Sequence, residues 1–175
     1  YRGSAIDVTA RMETETALRE SEARFKAMIE HAPLEIYVKD STGRYLLANP
    51  QLLKAWNRPA DDIIGHTASE LWDRLTAARI SKEDEEIMRT NVPAIGEKTV
   101  LRSNGPREIY RIKFPISGDD DRPTGVASIR YDTTERKRAQ LALEQSERRF
   151  RDFTELAADY FWETDPAFRI TFVSD

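Results

Sequence analysis

The 175-residue chain has two histidines, His31 and His66, and no cysteine. Thiolate catalysis, disulfides and thiolate–metal ligation are therefore closed to it. His31 precedes Ala32-Pro33 at the end of a helical pattern, where an imidazole partners the helix dipole. It lacks the acidic residue that follows a phosphoacceptor histidine. His66 follows Gly65 in a loop and is expected to face solvent. Asp119-Asp120-Asp121 has neither the alternating ligands nor the distal glutamate of a calcium loop, and reads as a solvated hairpin tip. No nucleophile–base pair, phosphate-cradling glycine loop or metal cluster is evident, so the segment does not read as an enzyme. The chemistry left is binding. Trp56, Trp72, Tyr110 and Phe114 could clamp a flat ligand, and they serve equally as ordinary core. Ser128 is the one small polar residue expected at the centre of a sheet.

The elements that must position these residues follow from periodicity. Residues 14–31 carry Ala17, Leu18, Phe25, Met28 and Ile29 among charges, an amphipathic helix that Pro33 stops. Residues 35–40 alternate as a strand, Ser41-Thr42-Gly43 turns, and 44–48 form its partner. Asn49 is a natural N-cap with Pro50 at the first helical position, and Asn57 suits the left-handed C-terminal position. A short helix over 59–64 ends at Gly65, and a helical turn around 68–72 places Leu71 and Trp72 inward. Ser81-Lys82-Glu83-Asp84 reads as the start of a charged helix that ends near Pro93. Strands 97–102 and 107–116 are joined through Asn104-Gly105, a hairpin signal. The last strand, 124–131, runs almost directly into a helix, with Asp132 three residues before Glu135 in capping-box spacing. The class is α+β: an antiparallel sheet with short helices on one face and amphipathic flanking helices. Trp56 and Phe114 are expected mostly buried on the helix side, with Tyr110 and Ile112 on the face of Phe114.

Composition bounds the function. The net charge of −4 argues against nucleic-acid binding. No apolar run approaches the ~20 residues of a membrane span, and no signal-peptide pattern opens the chain. A cytoplasmic module without membrane contact is the expectation. The chain also repeats itself at an offset of 125 residues. Ala17, Leu18, Ser21, Glu22, Arg24 and Phe25 fall on Ala142, Leu143, Ser146, Glu147, Arg149 and Phe150, and Asp40 and Arg44 on Asp165 and Arg169. The expected organisation is the end of a preceding copy and the start of a linker helix over 1–13, a complete domain over 14–135, a linker helix over 136–150, and the opening of a following copy over 151–175. Leu18 and Phe25, like Leu143 and Phe150, lie seven apart, heptad spacing suited to a homodimer through the flanking helices.

Lys39-Asp40-x-x-Gly43-Arg44, Ala48-Asn49, Ile63-Ile64-Gly65 and Phe114-Pro115-Ile116, closed by Asp132-Thr133-Thr134-x-Arg136-Lys137, resemble in order the pattern of PAS sensory domains, the last with its C-terminal PAC-type motif. Asn57 replaces a glycine frequent there, and Arg58 a frequent aromatic. The resemblance implies a five-stranded antiparallel sheet in the order 2-1-5-4-3, with a pocket between sheet and helices. On that reading the pocket is lined by Ile36, Val38, Leu46, Leu52, Trp56, Ile63, Leu71, Trp72, Tyr110, Ile112, Phe114 and Ser128, and the signal leaves through Asp132, Thr134, Glu135 and Arg136. It further implies a bacterial multidomain signalling protein, a two-component histidine kinase or a cyclic-di-GMP enzyme (diguanylate cyclase or phosphodiesterase), whose neighbouring PAS copies and output domain lie in the same chain. Flavin bonded to cysteine is excluded, and neither histidine lies on the charged helix where the family's haem ligand usually sits. Either a non-covalent small molecule or no ligand remains; in the second case the segment is a dimerisation and relay module.

Overall fold

The computed structural model describes residues 8–118, 122–156 and 162–173. The strand expected over residues 1–7 and the triple aspartate at 119–121 lie outside them. The chain divides into two compact units between Asp132 and Thr133. The first holds helix α1 (Val8–His31), strands β1 (Glu35–Asp40) and β2 (Tyr45–Ala48), helices α2 (Pro50–Trp56), α3 (Ala68–Leu71) and α4 (Arg74–Thr90), and strands β3 (Ala94–Arg102), β4 (Gly105–Ser117) and β5 (Pro123–Asp132). The five strands form one antiparallel sheet in the order β2-β1-β5-β4-β3. The second holds helix α5 (Thr134–Leu156) and a hairpin of β6 (Trp162–Thr164) and β7 (Ile170–Val173).

Local chemistry explains the punctuation. Asn49 is buried, and all its side-chain bonding capacity used here is directed at backbone. Its Oδ1 accepts from Leu52 N at 3.1 Å, capping α2, and from Ile36 N at 2.9 Å; its Nδ2 donates to Ile29 O at 3.0 Å and Leu34 O at 2.8 Å. One side chain thereby ties the end of α1, the start of β1 and the start of α2. Asn57 closes α2 in the left-handed region at φ 53°. Gly125 is required for a different reason: a Cβ there would stand 2.1 Å from the Lys39 carbonyl oxygen, so only glycine lets β5 lie this close to β1.

Two expectations are corrected at helix starts. Helix α4 begins at Arg74, not near Ser81, because the Asp73 carboxylate accepts from Leu75 N and Thr76 N, each at 3.0 Å. Ser81–Asp84 lies inside the helix, about two turns further on. Asp132 is the last residue of β5, paired with Ile109, and the carbonyl that takes the first bond of α5, from Lys137 N at 2.9 Å, belongs to Thr133. The helix therefore starts one residue later than the capping-box spacing indicated, with Thr134, Glu135 and Arg136 as its first turn.

A third correction concerns strand phase. Tyr37, Lys39 and Glu35 on β1 are buried toward the helices, and so are Tyr45 on β2 and Ile109 and Lys113 on β4. Pairing Tyr37 with Ser128 and Ser128 with Lys113 puts these three on one face. Ile36, Val38, Tyr110, Ile112 and Phe114 therefore point to the opposite face, and Leu46 is 58% exposed. The expectation that Phe114 shares the helix side with Trp56 does not hold. Ile36, Ile129, Ile112 and Ile95 instead form a row across the outer face. The physical reason is that the inward charges are neutralised by carboxylates on α4, leaving hydrophobicity free to collect on the outer face.

Asn49→Ala deletes the cap and strands the Ile36 N–H and two carbonyls. The expected loss is on the order of 3 kcal/mol, read from the urea midpoint; Asn49→Asp, which keeps both acceptor roles, should lose less.

Candidate functional site

The core beneath the site is a cluster of Tyr37, Tyr45, Leu52, Ile63 and Leu71, with Ala48, Leu53, Trp56 and Trp72 packed against it. Its aromatic members meet edge-on: Tyr37 and Tyr45 at 5.3 Å between centroids, Tyr45 and Trp56 at 5.7 Å, Trp56 and Trp72 at 5.0 Å. Burial pushes the Tyr45 phenol well up, so it stays neutral. Over this wall opens a cavity of about 750 Å³ between the inner sheet face and α2 and α4.

The cavity's other wall is ionic. Glu83 and Asp84, adjacent on α4, meet four cations that project from three strands. Lys39 Nζ donates to Asp84 Oδ2 at 2.9 Å, and Lys113 pairs with both Asp84 and Glu83. Arg111 grips Glu83 with both terminal nitrogens, one bond being 2.6 Å, and Lys98 reaches it at 3.0 Å. Lys39 and Lys113 are each only 1% exposed, so their charges depend on these partners. Lys39 also lies 4.3 Å over the Tyr45 ring. A second group closes the far side: Glu35 takes Arg102 at 2.5 Å and Arg130 at 3.7 Å, and Arg102 lies 4.0 Å from Asp132. Burial alone would push Glu83 up, but Arg111, Lys98 and Lys113 outweigh it and hold the carboxyl far below its ordinary value of 4.5. Burial would likewise lower Lys113, yet its anionic surroundings, Asp84 and Glu83 among them, keep it raised.

Of the residues expected to line a pocket, Trp56 and Trp72 line this cavity, and Leu52, Ile63 and Leu71 lie in the core beside it. Ser128 lies on the inner face, buried between Tyr37 and Lys113. Ile36, Val38, Leu46, Tyr110, Ile112 and Phe114 are not brought to it. Their places are taken by Tyr37, Tyr45, Ile109, Arg111, Lys113 and Arg130. The signal that marked these was in the sequence: Lys39, Lys98, Arg111 and Lys113 sit at strand positions of one phase, with an adjacent Glu83-Asp84 pair on an intervening helix. His66 is half-buried rather than solvent-facing, while His31 lies exposed in the last turn of α1. Among the described residues no cluster of metal-ligating side chains occurs.

A model of the PAS fold family matches residues 29–138. The methanogenesis regulatory histidine kinase FilI of Methanothrix harundinacea is 30% identical over 129 residues, 73% of this chain and 14% of that protein. A diguanylate cyclase of Vibrio cholerae is 31% identical over 83 residues, 46% of this chain and 26% of that protein. The chain thus spans about a seventh of the length of the first relative and about a quarter of the second. In the solved PAS domain of Bordetella pertussis BvgS the backbone is similar with a TM-score of 0.57 and 25% identity, covering 75% of this chain and 98% of that one.

Two outcomes test the ionic wall. Asp84→Ala leaves Lys39 and Lys113 buried without their shared partner and should cost about 3–5 kcal/mol in urea unfolding. Because the folded pKa of Glu83 is depressed, its contribution is complete above its ordinary value of 4.5 and is lost as pH falls below it. The thermal midpoint should therefore drop as the pH falls from about 5 to about 3, and less steeply in Glu83→Gln.

Proposed function

The chain belongs to the PAS fold family, and from that premise we propose that it senses a small molecule in the charged cavity and passes occupancy to the helices at its ends. The observation that carries the proposal is the cavity: about 750 Å³, walled by aromatic rings on one side and charges on the other, within the size range of small-molecule sites. This favours a ligand-binding module over an unliganded relay module. The family's presence in histidine kinases and a diguanylate cyclase supports a sensory, regulatory role. In this proposal the segment carries no catalysis itself and belongs to a longer protein with an enzymatic output of that kind. No helix among the described residues is long and apolar enough to cross a membrane; we place the module in the cytoplasm.

The route out is β5 into α5, through Asp132, Thr134, Glu135 and Arg136. Arg130 lines the cavity two residues before Asp132, so a change at the ligand reaches the junction through one strand segment. The second unit supports a tandem arrangement. In β6–β7, Asp165 Oδ1 accepts from Ala167 N and Arg169 N at 2.8 and 3.0 Å. In β1–β2, Asp40 Oδ1 accepts from Thr42 N and Arg44 N at 2.8 and 3.0 Å. Phe168 takes φ 60° where Gly43 has φ 82°. The hairpin is, in our reading, the opening of a second copy.

Leu18, Phe25, Leu143 and Phe150 are 58%, 59%, 60% and 47% exposed along their helices. Met28 and Phe153 extend each stripe by one turn at matching positions, also exposed. We take these stripes as the homodimer contact, since burying them removes apolar area worth roughly 25 cal/mol per Å² before association costs. Light scattering across a concentration series should show self-association, reduced when Leu18 and Leu143 are both changed to Glu; a monomer at every concentration would remove the dimer. For sensing itself, native mass spectrometry of the purified chain should reveal a non-covalent mass released on denaturation. A chain with no bound mass, and with α5 amide exchange unaltered by any candidate ligand, would refute it.

A further inference from the structure

We infer that the cavity is selective for a small aromatic carboxylate, its ring against Trp56 and Trp72 and its charge taken by Arg130 and Arg58; this rests on the sensory reading above. The first ground is charge. Glu83 and Asp84 are shared among four cations, and the Asp73 carboxylate is spent on the N-terminus of α4. Four further guanidinium groups line the same cavity, those of Arg58, Arg79, Arg102 and Arg130. Among the described residues the Arg58 guanidinium donates only to the Leu71 carbonyl, at 3.1 Å. Arg130 has, among the described residues, a single distant carboxylate, Glu35 at 3.7 Å, and that carboxylate already holds Arg102 at 2.5 Å. The cavity therefore carries more positive charge than its own carboxylates neutralise, and an anion that enters it recovers the difference.

The second ground is placement. Arg58 lies 5.2 Å over the Trp72 ring and Arg130 5.9 Å from the Trp56 ring, and the two indoles are themselves 5.0 Å apart. Two guanidinium groups thus flank one aromatic pair. The third ground is a donor left open: Arg130 Nε is buried and has no hydrogen-bond partner. A buried donor without an acceptor is costly, and a carboxylate that draws the Arg130 side chain toward the cavity supplies one. A neutral aromatic molecule would satisfy the indoles and leave these groups as they are. An inorganic anion would satisfy the charge and leave the aromatic wall empty.

The probes are phenylacetate and indole-3-acetate with their methyl esters, and inorganic phosphate, titrated calorimetrically into the chain. The acids are expected to bind saturably, at least about tenfold more tightly than their esters or phosphate, and to weaken as salt is raised. Arg130→Gln and Arg58→Gln should each weaken the acids about tenfold, and Arg130→Lys should restore part of the loss. Circular dichroism and the thermal midpoint establish that each variant is folded; should Arg130→Gln unfold, Arg58→Gln carries the test. Esters that bind as tightly as the acids would overturn the anion selectivity while leaving a ligand cavity. Failure of both acids to bind the wild-type chain would overturn the inference itself; the search for a co-purifying mass then decides separately whether the sensory reading survives.

Discussion

Two adjacent carboxylates on α4 decide how this domain is put together. Glu83 and Asp84 are the counter-charges for Lys39, Lys98, Arg111 and Lys113, which come from β1, β3 and β4. Two of those lysines are all but sealed from water. An unpaired ammonium so placed would be neutralised or would draw water in, so helix and sheet are held at a fixed separation and orientation. Long charged side chains also keep the two layers from collapsing onto each other as apolar ones would. The cavity is the space that remains between that ionic wall and the aromatic cluster. Stability and site are thus one arrangement, and the carboxylates cannot be exchanged for apolar residues without closing the space they hold open.

The fold was legible in the sequence because its punctuation is local. Asn57, Gly43, Gly105 and the capping bond of Asn49 each act within a few residues, and the structure has them as left-handed terminus, turns and cap, while the longer ties of Asn49 to Ile29, Leu34 and Ile36 are not local. The order of strands followed from the family resemblance. The site was much less legible. Alternation of Ile36 and Val38, and of Tyr110, Ile112 and Phe114, marked one face of each strand as apolar, and the apolar face was assigned inward. That inference fails when the inner face has partners for charge. Glu83 is separated from Arg111 by 28 positions and Asp84 from Lys39 by 45, distances at which no window-based pattern registers a pair. The start of α4 was misplaced for a smaller reason: Ser81-Lys82-Glu83-Asp84 has the composition of a cap, while Asp73, the residue whose carboxylate does the capping, stands beside a tryptophan.

The outer face bears the consequence. Its row of isoleucines, with Phe114 and Val38 beside it, is half-buried at the centre, and Ile95 at the edge is 62% exposed. The helices carry exposed stripes as well. A domain that spends charge inside and hydrophobicity outside is suited to a chain in which its neighbours complete it. That agrees with a segment that spans a small fraction of its relatives' length.

Strand phase is the claim on which the ionic wall, the cavity and the proposed ligand all depend, and the absence of cysteine makes it directly measurable. Single cysteines placed by Tyr110→Cys and by Ser128→Cys report the outer and inner faces of neighbouring strands, without background from native thiols. In dilute folded protein, the thiol at position 110 should react with a small disulfide reagent at a rate near that of the unfolded chain, and the thiol at 128 should react only on unfolding. Protection at 110 together with ready reaction at 128 would show the strands to be in the opposite phase, and would contradict the account.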